Sequence, residues 1–405
     1  MGWVTEHHPD PAGLSACVQC GLCLPVCPTF RLTGRETASP RGRLQAMSAV
    51  ADGIAEVDAK FEEILDFCLG CRACEPVCPG MVPYGSLLEG ARAEIVAQRR
   101  SFKRWLRGVA VGRLVGSQLF LSSLTILIRV VQLLHLGFLV PGRFRRTLLG
   151  IRPLVKQAPR HRSATAGPGT RVGLLSGCIQ DHWFPGVNST AAELLTRAGF
   201  QVVVPRDQTC CGALAAHDGH ADRSEILLSK NRDAFADCDL VVATGAGCSA
   251  HLRDNLDNAL DVTVIIASAI ADGRLPALEA TGLDVVVQDP CHLRHAQRVV
   301  DEPRAILKAA GYSVVDLDDD GLCCGAAGLY TALQPAASSE LGERKADLIR
   351  ATERTLVASA NPGCEMQLRG VLGAGYRIAH PIELYSEAIQ AAPVTTNVPD
   401  VESKP

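Results

Sequence analysis

The chain is predicted to be α plus α/β: a helical, cysteine-rich N-terminal domain over residues 1–98, a basic apolar helical connector and linker over 99–165, two copies of one α/β module over 166–283 and 284–390, and a flexible tail over 391–405. Three observations predict it. Two cysteine runs near the N-terminus share the spacing C-x2-C-x2-C-x3-C-P. From Ile95 to Thr170 the chain carries fourteen Lys or Arg and no Asp or Glu. Beyond that, the sequence repeats itself at three matched points.

The runs are Cys17, Cys20, Cys23 and Cys27 before Pro28, and Cys68, Cys71, Cys74 and Cys78 before Pro79. This is the bacterial ferredoxin spacing for cubane iron–sulfur clusters. Three cysteines two residues apart let one tight loop present three thiolates to one cluster. The fourth, one residue further and followed by proline, turns away to the other cluster. The expected sets are therefore Cys17, Cys20, Cys23 and Cys78 at one [4Fe–4S] centre, and Cys68, Cys71, Cys74 and Cys27 at the other. Zinc or a disulfide framework is the competing reading, but zinc takes four ligands and gives a crossed pattern, repeated twice, no purpose.

Composition sets the wider bounds. A hydrophobic share of 47% with 20% charge fits a globular chain. Met1 to Leu14 holds no apolar signal-peptide core, and cysteines kept as thiolates for iron imply the reducing cytosol. The net charge of −3 offers nucleic acid no attraction. Removing the basic stretch leaves 26 basic against 43 acidic residues, so the charge is segregated.

Between the runs, Arg41 onward and Ala59–Phe67 read as helices, with Phe61, Ile64 and Leu65 at helical spacing, and Leu87–Val96 continues as a third. Pro40-Arg41-Gly42-Arg43 fits a basic loop facing a partner or cluster, or simply a helix start with proline at its first turn. In the connector, Leu114–Ile128 is uncharged but too short for a bilayer core needing about 20 residues. Two helices broken near Gly137 and Pro141 fit better. A basic, apolar, acid-free segment suits a surface-lying membrane anchor, or equally a helical hairpin buried against other domains or a partner subunit. His161–Gly169 reads as a linker.

In the repeat, strands Arg171 onward and Asp284 onward run to Cys178 and Cys291. Helices ending at Ala198-Gly199 and Ala310-Gly311 lead to second strands at Val202–Val204 and Val314–Val315. Cys210-Cys211-Gly212 and Cys323-Cys324-Gly325 follow, and third strands beginning near Asp239 and Thr355 deliver Cys248 and Cys364. Such matching means internal duplication. Each copy gathers four cysteines at strand ends, where open parallel sheets place ligands: Cys178, Cys210, Cys211 and Cys248, then Cys291, Cys323, Cys324 and Cys364. A further metal or cluster, a redox dithiol and buried structural cysteines are the readings these sets allow. Gly245-Ala246-Gly247-Cys248-Ser249-Ala250 follows a strand and matches a dinucleotide fingerprint, but the second strand expected after it, Val262–Ile266, leads to Ala267 and Ser268 with no acidic residue at its end. His292 and His295 read as ligands, proton donors or turn residues. His182, Asp181 and His217 are weaker candidates, and Cys238, with no counterpart in the second copy, reads as core.

With these motifs placed, the chain resembles the iron–sulfur subunits of bacterial glycolate oxidase (glycolate dehydrogenase), nearly end to end. The likeness rests on both cysteine runs, Thr29, Pro40-Arg41-Gly42-Arg43, His295-Ala296-Gln297, and Leu322-Cys323-Cys324-Gly325 with Ala327, Gly328 and Tyr330. Its CCG modules resemble those of lactate-utilisation proteins, the anaerobic glycerol-3-phosphate dehydrogenase small subunit and heterodisulfide reductase. In heterodisulfide reductase such a module ends in C-x-x-C and binds a non-cubane cluster. Here His251 and Gln367 stand where that last cysteine would be, which argues against that cluster and against disulfide reduction.

The resemblance implies an electron-transfer subunit with no catalytic residue of its own. FAD-containing partner subunits would oxidise glycolate, and the chain would pass electrons to a quinone-type acceptor at the inner face of the cell membrane. The alternatives are a lactate or glycerol-3-phosphate dehydrogenase subunit, a thiol or disulfide oxidoreductase at the CCG sites, and a non-catalytic metal-binding assembly protein.

Overall fold

The computed structural model describes residues 2–99, 101–111, 116–140, 142–154, 169–317 and 321–392. Most of the expected linker (161–168) and of the expected tail (393–405) lies outside them, as do Leu114 and Val115 of the uncharged stretch.

The N-terminal domain is built from α1 (Pro11–Ser15), α2 (Pro28–Thr33), α3 (Pro40–Ala51), α4 (Ala59–Asp66) and α5 (Tyr84–Gln98). Asp10, Ser39 and Asp58 cap α1, α3 and α4 by accepting backbone N–H bonds left open at the helix starts. Proline occupies the first turn of α1, α2 and α3, where no donor is needed. Met47, Val50, Phe61, Leu65, Leu87 and Ile95 close the core between α3, α4 and α5. The two cysteine loops lie at one end of it.

The connector is α6 (Phe102–Val109), α7 (Gln118–Leu133), a 3-10 turn over Leu136–Leu139, and α8 (Gly142–Gly150). It breaks at Gly137 as predicted, while Pro141 lies outside the described residues. One face of α7 is buried: Leu121 packs into the first module's cysteine core and Ile128 into the central core. α8 lies on the helix Pro362–Leu372 of the second module, backbone against backbone at Gly150 and Gly370, where any side chain would strike a carbonyl. Among the described residues no helix is long and apolar enough to cross a membrane.

Both modules are four-stranded parallel sheets of the same order. The first is β2-β1-β3-β4, from β1 (Arg171–Leu175), β2 (Gln201–Val203), β3 (Leu240–Ala243) and β4 (Ala259–Asp261). The second is β6-β5-β7-β8, from β5 (Asp284–Val287), β6 (Ser313–Asp316), β7 (Leu356–Ala358) and β8 (Arg377–Ala379). Identical order makes the duplication visible in space. Gly199 and Gly311 end the first helix of each copy with positive φ of 85° and 83°.

Two expectations are corrected. β1 and β5 stop before their cysteines, which sit in the turns that follow. Val262–Ile266 is helical: Asp261 ends β4 and caps the helix Val262–Ala271 by accepting from Thr263. A β-branched run thus yields to a cap and a buried helix face.

Candidate functional site

Each cysteine loop reverses twice. Gln19 and Gly21 in the first run, and Gly70 and Arg72 in the second, have φ of 57°, 82°, 65° and 60°. These are matching positions, two and four residues after the first cysteine. Left-handed backbone on a glutamine and an arginine is uncommon, and here it curls each loop so that its thiols face inward.

Two adjoining cavities result. One is lined by Cys17, Cys20, Cys23 and Cys78. The other is lined by Cys27, Cys68, Cys71 and Cys74. These are the crossed sets read from the spacing. Cys74, Pro40 and Tyr84 line both, so one thin wall separates them. The sets differ in exposure: Cys20 is exposed and its three companions half-buried, whereas the second set is wholly buried. Val18, Leu22 and Met81 form an exposed apolar rim beside the outer set.

The inner cavity has the electrostatics of an anion site. Arg43 is fully buried in its wall; its Nε donates to Ile64 O (2.9 Å) and Nη2 to Thr29 Oγ1 (3.1 Å). Its Nη1 is buried with no hydrogen-bond partner. Burial opposes ionisation of Cys68, but Arg43 and then Arg92 outweigh it and hold that thiol below its usual range. Gly70 N–H (3.4 Å) and Tyr84 Oη–H (3.6 Å) point at the same sulfur. Burial, and then neighbouring cysteines, push Cys71 and Cys74 well up. Thiols crowded so closely ionise only around a cation, so the donor set fits a thiolate-bound iron–sulfur cluster whose net negative charge Arg43 would balance. Among the described residues no three His, Cys, Asp or Glu side chains converge on a single-ion site. Pro40-Arg41-Gly42-Arg43 is both things the sequence allowed. It starts α3, and it sets Arg43 on the inner cavity and Arg41 on the outer.

The inner set adjoins the second module. Leu69, Cys71 and Ala73 pack with Leu322, Cys323 and Tyr330, and Tyr330 Oη donates to Phe67 O (3.2 Å). In that module Cys324 Sγ is 3.1 Å from Cys364 Sγ, Gly325 N–H points at Cys323 Sγ (3.4 Å), and His292 Nδ1 is 3.6 Å from Cys291 Sγ. In the first module Cys210 and Cys178 sulfurs are 3.4 Å apart, with Cys211 and half-buried Cys248 beside them. Gly212 and Gly325 both have positive φ, which lets each double cysteine turn inward. Gln367 donates to Ser338 O (3.0 Å) and is occupied structurally, whereas His251 Nε2 lies 3.1 Å from Ser224 Oγ, against the Gly212 turn.

Three histidines meet where the three domains join. His217 lies 5.2 Å from His292 and 6.3 Å from His251, ring centre to ring centre, and its Nδ1 is 2.6 Å from Glu89 of α5. Burial drives His292 down to about 3, keeping it neutral. Arg92 donates to Leu65 O, Cys68 O and His217 O, tying the inner loop to the first module. Sequence reasoning missed Arg92 and Glu89; their only trace is two charged positions among the apolar residues of α5. His182 and Asp181 are buried at the α7 contact, with His182 Nε2 3.3 Å from Ser122 Oγ, and Cys238 lies in the first module's core. The fingerprint at Gly245 has no room for a pyrophosphate, because Pro362 and Asn361 of the second module cover it. The acidic residue thought absent is Asp261, bound to Ser249 (2.7 Å) and Thr263.

Fold and site together define an iron–sulfur protein of the dicluster type joined to a duplicated cysteine-rich domain. The family comparisons agree: residues 13–82 match the 4Fe-4S dicluster domain, and 172–253 and 285–369 match the cysteine-rich domain. The chain is 35% identical to a protein of Bacillus subtilis (strain 168) described as a probable glycolate oxidase iron–sulfur subunit, over 95% of this chain and 96% of that one. It is 30% identical to the glycolate oxidase iron–sulfur subunit of Escherichia coli (strain K12), over 93% and 94%. It is also 27% identical to one of the subunits of the CoM/CoB fumarate reductase of Methanothermobacter marburgensis, over 91% and 70%. The chain belongs to the family of glycolate oxidase iron–sulfur subunits. It is an iron–sulfur subunit of an oxidoreductase.

Proposed function

We propose that this chain is the electron relay of a flavin-dependent glycolate, or closely related 2-hydroxy acid, dehydrogenase. FAD would sit on partner subunits and a quinone-type acceptor would take the electrons. Cys17, Cys20, Cys23 and Cys78 would hold the outer [4Fe–4S] cluster and Cys27, Cys68, Cys71 and Cys74 the inner; such clusters supply one-electron steps between a two-electron donor and an acceptor. The observation that carries the reading is the pair of crossed cysteine cavities sharing a wall, one open to the surface and one buried. The apolar rim of Val18, Leu22 and Met81 suits docking of the flavin subunit beside the outer set. Tyr84, Gly70 and Thr29 orient and hydrogen-bond the sulfurs, and Arg43 balances their charge.

Leu119, Ile126, Leu127, Phe138 and Leu139 are more than half exposed on the acid-free connector, which supports peripheral seating on the anionic inner face of the cell membrane. A second reading adds a metal centre on Cys291, Cys323, Cys324 and Cys364, with Cys178, Cys210, Cys211 and Cys248 as its counterpart. The packing of Cys71 against Cys323 favours it for the second module.

The test is anaerobic purification with iron and sulfide quantified, then EPR of the reduced protein with and without Cys71→Ser. About eight irons per chain, with one of two signals lost in the variant, supports the relay alone. More iron supports the second reading. Full electron transfer to an external acceptor in Cys71→Ser overturns the relay.

A further inference from the structure

Arg92 is buried midway along α5, with its guanidinium spread over three main-chain carbonyls from two domains. Nη2 donates to Leu65 O (3.0 Å) and Cys68 O (2.7 Å), and Nη1 to His217 O (2.8 Å). The first two bear on the inner cysteine set. α4 ends at Asp66 and Cys68 follows two residues on, so the negative end of the helix dipole lies beside that set. An anionic cluster there is disfavoured unless cations take up the last carbonyls. Arg43 Nε takes Ile64 O (2.9 Å), and Arg92 takes Leu65 O. Burial works against a thiolate at Cys68, and after Arg43 it is Arg92 that works for one. The third carbonyl belongs to the first module. α5 grips the end of the helix Ala213–His217 twice: Glu89 Oε1 is 2.6 Å from His217 Nδ1, and Arg92, one turn on, holds the His217 carbonyl. Gly219, with φ of 86°, lets the following turn come close; a side chain there would strike the Arg92 carbonyl.

We infer that Arg92 is a positioning residue for the inner cluster, and that docking of the first module at His217–Gly219 holds it in that role. The inference rests on the inner [4Fe–4S] cluster proposed above. With all three carbonyls in place the guanidinium is fixed and dry beside the Cys68 loop, and its charge favours the reduced, more negative cluster. With the His217 carbonyl withdrawn, water reaches the guanidinium from that side and its field on the cluster weakens. A domain that gives the inner cluster no ligand thereby sets its potential.

The test is a potentiometric titration of the full chain followed by EPR, with iron quantified. Arg92→Met is expected to move the inner cluster's reduction equilibrium about tenfold toward the oxidised form, a fall of about 59 mV for one electron, and to leave the outer cluster in place. Arg92→Gln, which keeps a donor but loses the charge, falls with it, and Arg92→Lys, which keeps the charge, falls less. These two carry the test if Arg92→Met takes up no iron. Gly219→Ala changes no charge and no ligand, yet is expected to lower the inner potential too, and to lower it no further in an Arg92→Gln background. An inner potential unchanged in Arg92→Gln or in Gly219→Ala overturns the inference. So does an equal shift of both clusters, or a Gly219→Ala shift that persists undiminished without Arg92. Failure of the cluster reading looks different: the wild-type chain then holds far fewer than about eight irons and gives no pair of signals to follow.

Discussion

Replacing Arg43 with methionine should lower the reduction potential of one cluster and spare the other. Arg43 Nη2 donates to Thr29 Oγ1, whose oxygen lies 3.3 Å from Cys27 Sγ, so the guanidinium charge sits ~6 Å from an inner-set sulfur. At an effective dielectric of about 20, a unit charge at that distance is worth about 3 kcal/mol to one added electron. With 1.4 kcal/mol per tenfold and 59 mV per tenfold for one electron, that is about 120 mV. The sign follows from charge: without the cation the reduced, more negative state loses support and the potential falls. Arg43→Lys keeps the charge and should keep most of the potential. The assay is a potentiometric titration followed by EPR, with iron quantified to confirm loading. A shift below about 20 mV, or an equal shift of both centres, would refute the placement of Arg43 on the inner set alone.

Two further predictions concern what holds the modules together. Arg152 bonds Glu365 (2.6 and 2.8 Å) and Glu383 (2.7 Å twice), both buried, while stacking on Phe184. Arg152→Met strands two carboxylates, and urea unfolding at pH 7 should show about 3–5 kcal/mol lost, whereas a loss under about 1 kcal/mol would mean the pairs are solvated. His380 caps the last helix, Pro381–Ala391: its Nδ1 accepts from Ile382 N–H (3.3 Å) and its Nε2 reaches Thr244 O (3.1 Å). That needs the neutral ring, and burial, with Arg152 adding to it and against the pull of the Glu383 carboxylate, holds it down to about 4. Stability from this site is complete above the unfolded value near 6.5 and falls as pH drops toward 4, by about 2 kcal/mol at pH 5. His380→Asn, which keeps a cap, should flatten that acid limb relative to wild type; parallel limbs would count against the assignment.

What the sequence made legible was whatever depends on local spacing. The crossed cysteine sets, the start of α3 at Pro40 and the duplication all follow from offsets of a few residues or from matched repeats. β4 and β8 escaped because no matched cysteine follows them to mark so short a strand, as one follows the equally short β2 and β7, and Val262–Ile266 misled because its β-branched run is helical only under the Asp261 cap. Arg43 was flagged but not resolved, since Pro40 explains the local helix whichever way Arg43 points. The histidine junction was illegible. His217 and His251 lie on two separate helices of the first module and His292 opens a helical turn of the second, which only the docking of the modules brings beside them.

That docking makes the two copies unequal despite identical strand order. The second module meets the N-terminal domain through cysteines: Cys71 lies against Cys323, and Tyr330 binds the chain just before Cys68. The first meets it through ion pairs and histidine, with Arg72 on Asp254, Glu89 on His217 and Arg92 on the His217 carbonyl. The physical consequence is a difference in insulation. Sulfur against sulfur in a dry apolar cluster leaves little between the inner set and the second CCG turn. On the other side the contacts to the first module are polar, made by the Arg72 and Arg92 guanidinium groups and by the Glu89 carboxylate on His217. A duplicated fold placed on one asymmetric helix thus gives its two cysteine sites different neighbours, and with them different access to charge.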